Sequence, residues 1–418
     1  MKCLAGAAFA AMLLAAAGAQ AAPKPQAPGP RPPTADALFQ QGEFEEARTA
    51  YQAVPKSSPQ YEEAQRQLGA IALYQNRLGE AEALLNKART LNPADLATVG
   101  LLAETMHRQG RFSEMAQLLK EIGRTDRESE FQIFGNSEPY RIAAHQGPVT
   151  VGLQWTDPLP VVLAKVNGFQ GLFVIDTGAP EIILDPEFAL YAHVQSSNAQ
   201  ARGAPSRPML NFGRIQQFTL PGLETDDVPA MLLSTRGLTP FARNKRIAGV
   251  IGTQFLSHFR PTLDYVHDKL ILEPHDAPAR TGSGTIAEVP FWFVGDHFLL
   301  APGRLDNGPR QMFLIDSGIV GTAFTAPAST LQSAGIPVPT PQGPAKSRIG
   351  MPPSALFPIT RLSLGNLSQT NLSGVYGTFP LGLEKGLGVN IGGIISHKYL
   401  LPYAVTFDFV RMTISFRK

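Results

Sequence analysis

The chain has 418 residues, 44% of them hydrophobic, with 36 Lys and Arg set against 34 Asp and Glu. That length calls for more than one domain, and the apolar content excludes global disorder. Balanced charge without a Lys/Arg block excludes a basic nucleic-acid face, so no nucleic-acid partner is expected.

Met1-Lys2 gives a positive start, Leu4 to Ala17 is rich in Ala and Leu, and Ala19-Gln20-Ala21 offers a small-x-small cleavage site. Residues 1–21 therefore read as a secretory signal peptide. The apolar run falls short of the roughly 20 residues that span a bilayer, so no stable membrane span is expected after cleavage. The protein is expected to be exported, either periplasmic or secreted. The only cysteine, Cys3, precedes the run, which leaves no disulfide or thiol chemistry for the mature chain. Residues 22–33 read as a proline-rich linker, with six prolines between Pro23 and Pro33.

Residues 34–123 read as helical repeats. Gln41-Gly42-Glu43-Phe44, Gln75-Asn76-Arg77-Leu78 and Gln109-Gly110-Arg111-Phe112 align, with the turn residues Gly42, Asn76 and Gly110 spaced 34 apart. Gly and Asn tolerate the left-handed backbone of a turn between helices. Small residues, Ala35, Gly69 and Ala103, stand seven places before each turn, where paired helices come closest. Pro59 and Pro93 close the first two units. The pattern resembles three tetratricopeptide repeats, with Met115 in the third where the others carry alanine. That resemblance implies an α-helical solenoid with a surface for a protein partner.

After a polar linker at 124–147 the periodicity changes from helical to alternating, as in Val149-Thr150-Val151-Gly152-Leu153, the pattern of a half-buried strand. From there the chain reads as strands and turns, in two copies at 148–275 and 284–418. Asn167-Gly168 leads into Phe173-Val174-Ile175-Asp176-Thr177-Gly178, and Asn307-Gly308 into Phe313-Leu314-Ile315-Asp316-Ser317-Gly318. Asn-Gly is a hairpin signal, and both aspartates follow the Asn by nine residues. Later, Gly249-Val250-Ile251-Gly252 and Gly393-Ile394-Ile395-Ser396 precede Asp264 and Asp408 by the same 12 residues. Asp264 and Asp408, after a bend and before each last strand, read as structural.

An apolar run into Asp-Thr/Ser-Gly, followed by an apolar–apolar–Gly strand, resembles the aspartic proteases. It is most similar to the bacterial retropepsin-like branch, with two lobes fused in one chain. The fold class expected is therefore multidomain: an α-helical repeat solenoid followed by an all-β bilobal aspartic protease fold. The resemblance implies that Asp176 and Asp316 are catalytic and meet across a pseudo-twofold axis. It implies further that Thr177, Gly178, Ser317 and Gly318 support the active-site loops. Two carboxyls held about 3 Å apart cannot both ionise, so they share a proton. One then activates water while the other polarises the peptide carbonyl. No cofactor is implied, and His258 and His267 lack a third ligand for a metal.

The sequence departs from the family pattern at Ile319, where a small residue is usual, and at Ser396, where glycine is expected. Flap hairpins are expected near Gln200–Asn211 and Gln342–Met351, without a Gly-Gly tip or tyrosine in either. The expected function is peptide-bond hydrolysis of peptides or unfolded proteins, with the repeats recruiting substrate or partner. A non-catalytic peptide-binding protein and an envelope scaffold are the alternatives. A monomer is expected, because one chain holds both aspartates.

Overall fold

The computed structural model describes residues 33–124, 133–134, 137–143, 147–196, 211–278, 284–341, 353–380 and 382–418. The signal peptide, all but the end of the proline-rich linker, and the flap candidates other than Asn211 lie outside these residues.

Six helices open the described chain: α1 Ala35–Gln40, α2 Phe44–Gln52, α3 Tyr61–Tyr74, α4 Leu78–Leu91, α5 Leu96–Arg108 and α6 Phe112–Glu121. The Thr34 hydroxyl and the Asp95 carboxylate cap α1 and α5 by accepting from first-turn amides. Gly42, Asn76 and Gly110 all have positive φ (75°, 55° and 74°), the left-handed link that the 34-residue spacing predicts. At Gly69 a Cβ would overlap the Leu85 side chain, so glycine is what lets α3 approach α4.

The remainder is two β lobes joined by a shared sheet. In the first lobe, strand Phe169–Ile175 runs parallel to Gly249–Ile251, with Ile175 beside Ile251. In the second, Gln311–Asp316 runs parallel to Gly393–Ser396, with Ile315 beside Ile395. Each of these short strands is flanked on its other side by an antiparallel neighbour, Ile182–Leu184 or Phe324–Ala326. The predicted alternation holds at Val149–Trp155, where Val149, Val151 and Leu153 are buried and the residues between them exposed.

The two lobes' penultimate strands pair with one another. Arg260–Asp264 lies antiparallel to Ala404–Asp408, with Thr262 opposite Thr406 and their hydroxyl oxygens 2.7 Å apart. On each side the sheet continues through Lys269–Glu273 to Val149–Trp155, and through Thr413–Arg417 to Thr285–Pro290. Asp264 and Asp408 stabilise the turns beyond these strands: Asp264 accepts from the His267 amide, and Asp408 from the amides of Val410 and Arg411.

One predicted turn differs. Asn167-Gly168 forms the tight hairpin with both residues at positive φ. In the second lobe the left-handed residue is Asp306, and the connection runs from Asp306 to Arg310. Pro309 follows Gly308 and has no N–H to close a two-residue turn. Asp306 instead takes the Arg361 amide on its side chain at 2.7 Å.

The repeats share a hydrophobic core with the second lobe. Phe39, Phe44, Tyr74 and Met106 join Trp292, Val294, Met312 and Leu314 in one cluster, and the Phe44 and Trp292 rings lie 5.4 Å apart. Polar contacts reinforce the seam: Asn76 Nδ2 donates to the Phe409 carbonyl at 3.0 Å, and the Asn390 amide to that of Gln40 at 2.7 Å. The stretch read as a linker also packs. Phe134 is buried in the shared cluster, and Arg141–Ile142 adds a short strand to the first lobe beside Thr225 and Asp226.

Candidate active site

Asp176 and Asp316 each end a buried apolar run on a central strand, so the β ladder delivers both to the same level. Their side chains hydrogen-bond to each other. Each carboxylate also accepts from its own loop's glycine amide at 2.8 Å, Gly178 to Asp176 and Gly318 to Asp316. The glycines serve a steric purpose as well. A Cβ on Gly178 would overlap the Asp316 carboxyl, and one on Gly318 the Asp176 carboxyl. Only a residue without a side chain lets each loop pass over the other's acid.

Thr177 and Ser317 lock the loops reciprocally. The Thr177 hydroxyl donates to the Ile315 carbonyl and accepts the Ser317 amide, both at 3.0 Å. The Ser317 hydroxyl donates to the Ile175 carbonyl and accepts the Thr177 amide, again at 3.0 Å. Both side chains are buried, and every polar group in this exchange finds its partner, as burial demands. All six residues singled out from the sequence therefore meet in one place.

Burial is the main cause that raises both carboxyls. Asp316 lies well above the usual carboxylate range, with the charge of Asp176 adding to the effect. Asp176 is also raised, but the Gly178 amide, the bond from Asp316 and the positive influence of His297 pull it back. The pair thus retains one proton that the two carboxyls share, and it titrates as a unit.

The neighbourhood includes residues that the sequence reading passed over. Thr253 donates its hydroxyl to the Thr177 carbonyl at 2.8 Å and its amide to that of Ala179 at 2.9 Å. His397 stands at the matching place in the second lobe, one residue after Ser396. It is fully buried with its ring 5.2 Å from that of Tyr265, and burial pushes its pKa down to about 4, so it is neutral. Burial is the main cause that raises the Tyr265 phenol, and the charges of both aspartates add to it. Positional equivalence to Thr253 was the available signal for His397; Tyr265 and His297 carry none in the linear pattern. Ile319 packs against the cluster shared by the repeats and second lobe, while its amide bonds to Asp316. Among the described residues no group of His, Cys, Asp and Glu could hold a metal ion, and no helix is long and apolar enough to cross a membrane.

Residues 162–255 match the family model of aspartyl proteases, and residues 72–133 that of the tetratricopeptide repeat. No curated protein matches the chain. Among solved structures, a retropepsin-like aspartic protease from Rickettsia conorii aligns at 18% identity over 32% of this chain and 95% of that one, with a TM-score of 0.23. The aspartyl protease model thus matches most of the first lobe and the tetratricopeptide model part of the helical repeats, while the second lobe repeats the strand topology of the first.

Proposed function

We propose that this protein is an aspartic endopeptidase that hydrolyses peptide bonds with a water activated between Asp176 and Asp316. The observation that carries the reading is the mutual bond of the two carboxyls, fixed from below by the reciprocal Thr177 and Ser317 hydroxyls. Asp176, as carboxylate, takes a proton from the water as its oxygen attacks the peptide carbon. Asp316 gives its proton to the carbonyl oxygen, forming a neutral gem-diol. On collapse Asp176 passes its proton to the leaving nitrogen, the C–N bond breaks, and Asp316 recovers a proton from a diol hydroxyl. The buried loops exclude bulk water and strengthen these interactions.

Substrates in this reading are peptides or unfolded chains outside the cytoplasm, bound extended so that backbone is recognised more than sequence. The repeats recruit a protein partner or the substrate itself. One chain supplies both acids, so catalysis requires no second copy. Hydrolysis of a quenched peptide library by the wild type, absent from Asp176→Asn and Asp316→Asn, tests the proposal. Equal rates for all three proteins would leave a peptide-binding role instead.

A further inference from the structure

We propose that Arg108, at the end of α5 in the repeats, is a positioning residue of the catalytic centre, acting through the Trp292–Phe298 hairpin of the second lobe. The inference rests on the endopeptidase reading and adds to it a dependence on the helical repeats.

The Arg108 side chain is only 3% exposed. Burying a guanidinium is costly unless its hydrogens find acceptors, and four of its five do so here. It donates to Glu104 at 2.8 Å and to the Leu73 carbonyl at 3.1 Å within the repeats. Its remaining reach goes outward, to the carbonyls of Phe293 at 3.0 Å and Gly295 at 2.5 Å, with its plane 3.8 Å from the Phe293 ring. The apolar seam around Phe44 and Trp292 already joins the two modules. Arg108 adds a directional hold on the tip of one hairpin.

That tip reaches the loop bearing Asp176 by way of Gln254. The Asp296 carbonyl accepts from Gln254 Nε2. Gln254 is buried, its amide donates to the Pro180 carbonyl at 2.8 Å, and the adjacent Thr253 holds the carbonyls of Thr177 and Ala179. An unbroken series of hydrogen bonds thus runs from a repeat helix to the loop bearing Asp176. The same turn carries His297, whose Nδ1 lies 2.5 Å from Asp296 Oδ1 and whose positive influence favours the charged form of Asp176. The ionisable groups around the turn are Asp296 on the hairpin, Asp176 and Asp316 on the loops, and Arg108, Glu104, His107 and Arg124 from the repeats and the residue after them.

The test uses full-length protein. Arg108→Gln should lower kcat about ten- to hundredfold, the scale of a small misplacement of reacting groups, with KM close to wild type. It should also move the acidic limb of the kcat profile to higher pH, because Asp176 loses the His297 charge. His297→Gln should move the same limb, and the double variant no further. Leu85→Ala, which loosens the packing of α4 on α3 and removes no hydrogen bond of Arg108, should lower Tm without moving the limb. The inference is overturned if Arg108→Gln lowers Tm alone, as Leu85→Ala does. Amide exchange at residues 176–180 provides a readout independent of turnover: Arg108→Gln should speed it and Leu85→Ala should not. Should the wild type fail to hydrolyse peptides, the endopeptidase reading falls, and unchanged exchange in Arg108→Gln separately overturns the coupling.

Discussion

The two lobes place the same parts on the same strands, yet they close behind the aspartate differently. In the first, Ile183 pairs with Val250, and in the second Thr325 pairs with Ile394 at the matching place. Ile183 follows Asp176 by seven residues, whereas Thr325 follows Asp316 by nine. The shorter loop runs tight against Gly252, where a Cβ would strike the backbone oxygens of Glu181 and Ala179. The longer loop leaves room for Ser396, fully buried with its amide bonded to the Ala323 carbonyl. Glycine is thus demanded by loop length and not by catalysis, which accounts for the departure at Ser396. Symmetry is strict where the lobes touch and relaxed where each only serves itself.

Breaking the symmetric part should have the largest effect. Asp176→Asn and Asp316→Asn should each lower kcat/KM by more than about 10³-fold, and the double variant little further, because the acids act as one unit; progress curves on a quenched peptide decide this. Thr177→Ala and Ser317→Ala each strand a buried carbonyl and a buried amide, at about 1–3 kcal/mol per group. Urea titration should find the two losses equal within about 0.5 kcal/mol; a clear inequality would break the comparison. Gly252→Ala should destabilise by about 1–3 kcal/mol through forced backbone movement, while Ser396→Ala, removing a hydroxyl with no partner among the described residues, should stay within about 0.5 kcal/mol.

The smallest effect concerns pH. The Asp316 carboxyl is raised in the folded protein, so the folded state holds its proton more tightly than the unfolded chain. Its contribution to stability is complete below the ordinary carboxylate range and is lost as pH rises through the elevated folded value. Asp316→Asn removes that loss, so its Tm, followed by calorimetry against pH, should decline less than that of wild type on going from acid to neutral pH. On the endopeptidase proposal, peptide hydrolysis should fall in the same direction at its basic limb, as the aspartate pair loses its shared proton.

Much of the site was legible because duplication writes each signal twice. Asp-Thr-Gly alone is compatible with an ordinary turn; two copies at a fixed distance from an Asn-Gly and an apolar–apolar–small strand are not. The repeats were legible through Gly42, Asn76 and Gly110 for a similar reason. What escaped was whatever depends on contacts between modules. Arg108 reads in sequence as a routine basic residue at a helix end, and only packing shows its hydrogens spent on another module's carbonyls. The burial of the repeats' aromatic face on the second lobe was equally silent, since Phe44 and Tyr74 suit the interior of a solenoid just as well. Asn307-Gly308 misled because Pro309, one place later, removes the amide that the tight turn needs.

The pairing of Arg260–Asp264 with Ala404–Asp408 bears on what half of this chain would do alone. A fragment ending after Glu273 would leave the Arg260–Asp264 backbone as an unsatisfied edge, open to any strand of suitable shape. The strand it lacks runs antiparallel and has threonine opposite its own threonine, so a second copy of the fragment is a fitting substitute. Fusion has made permanent an association that separate halves would have to find by collision, and has thereby freed each half to diverge from its twin.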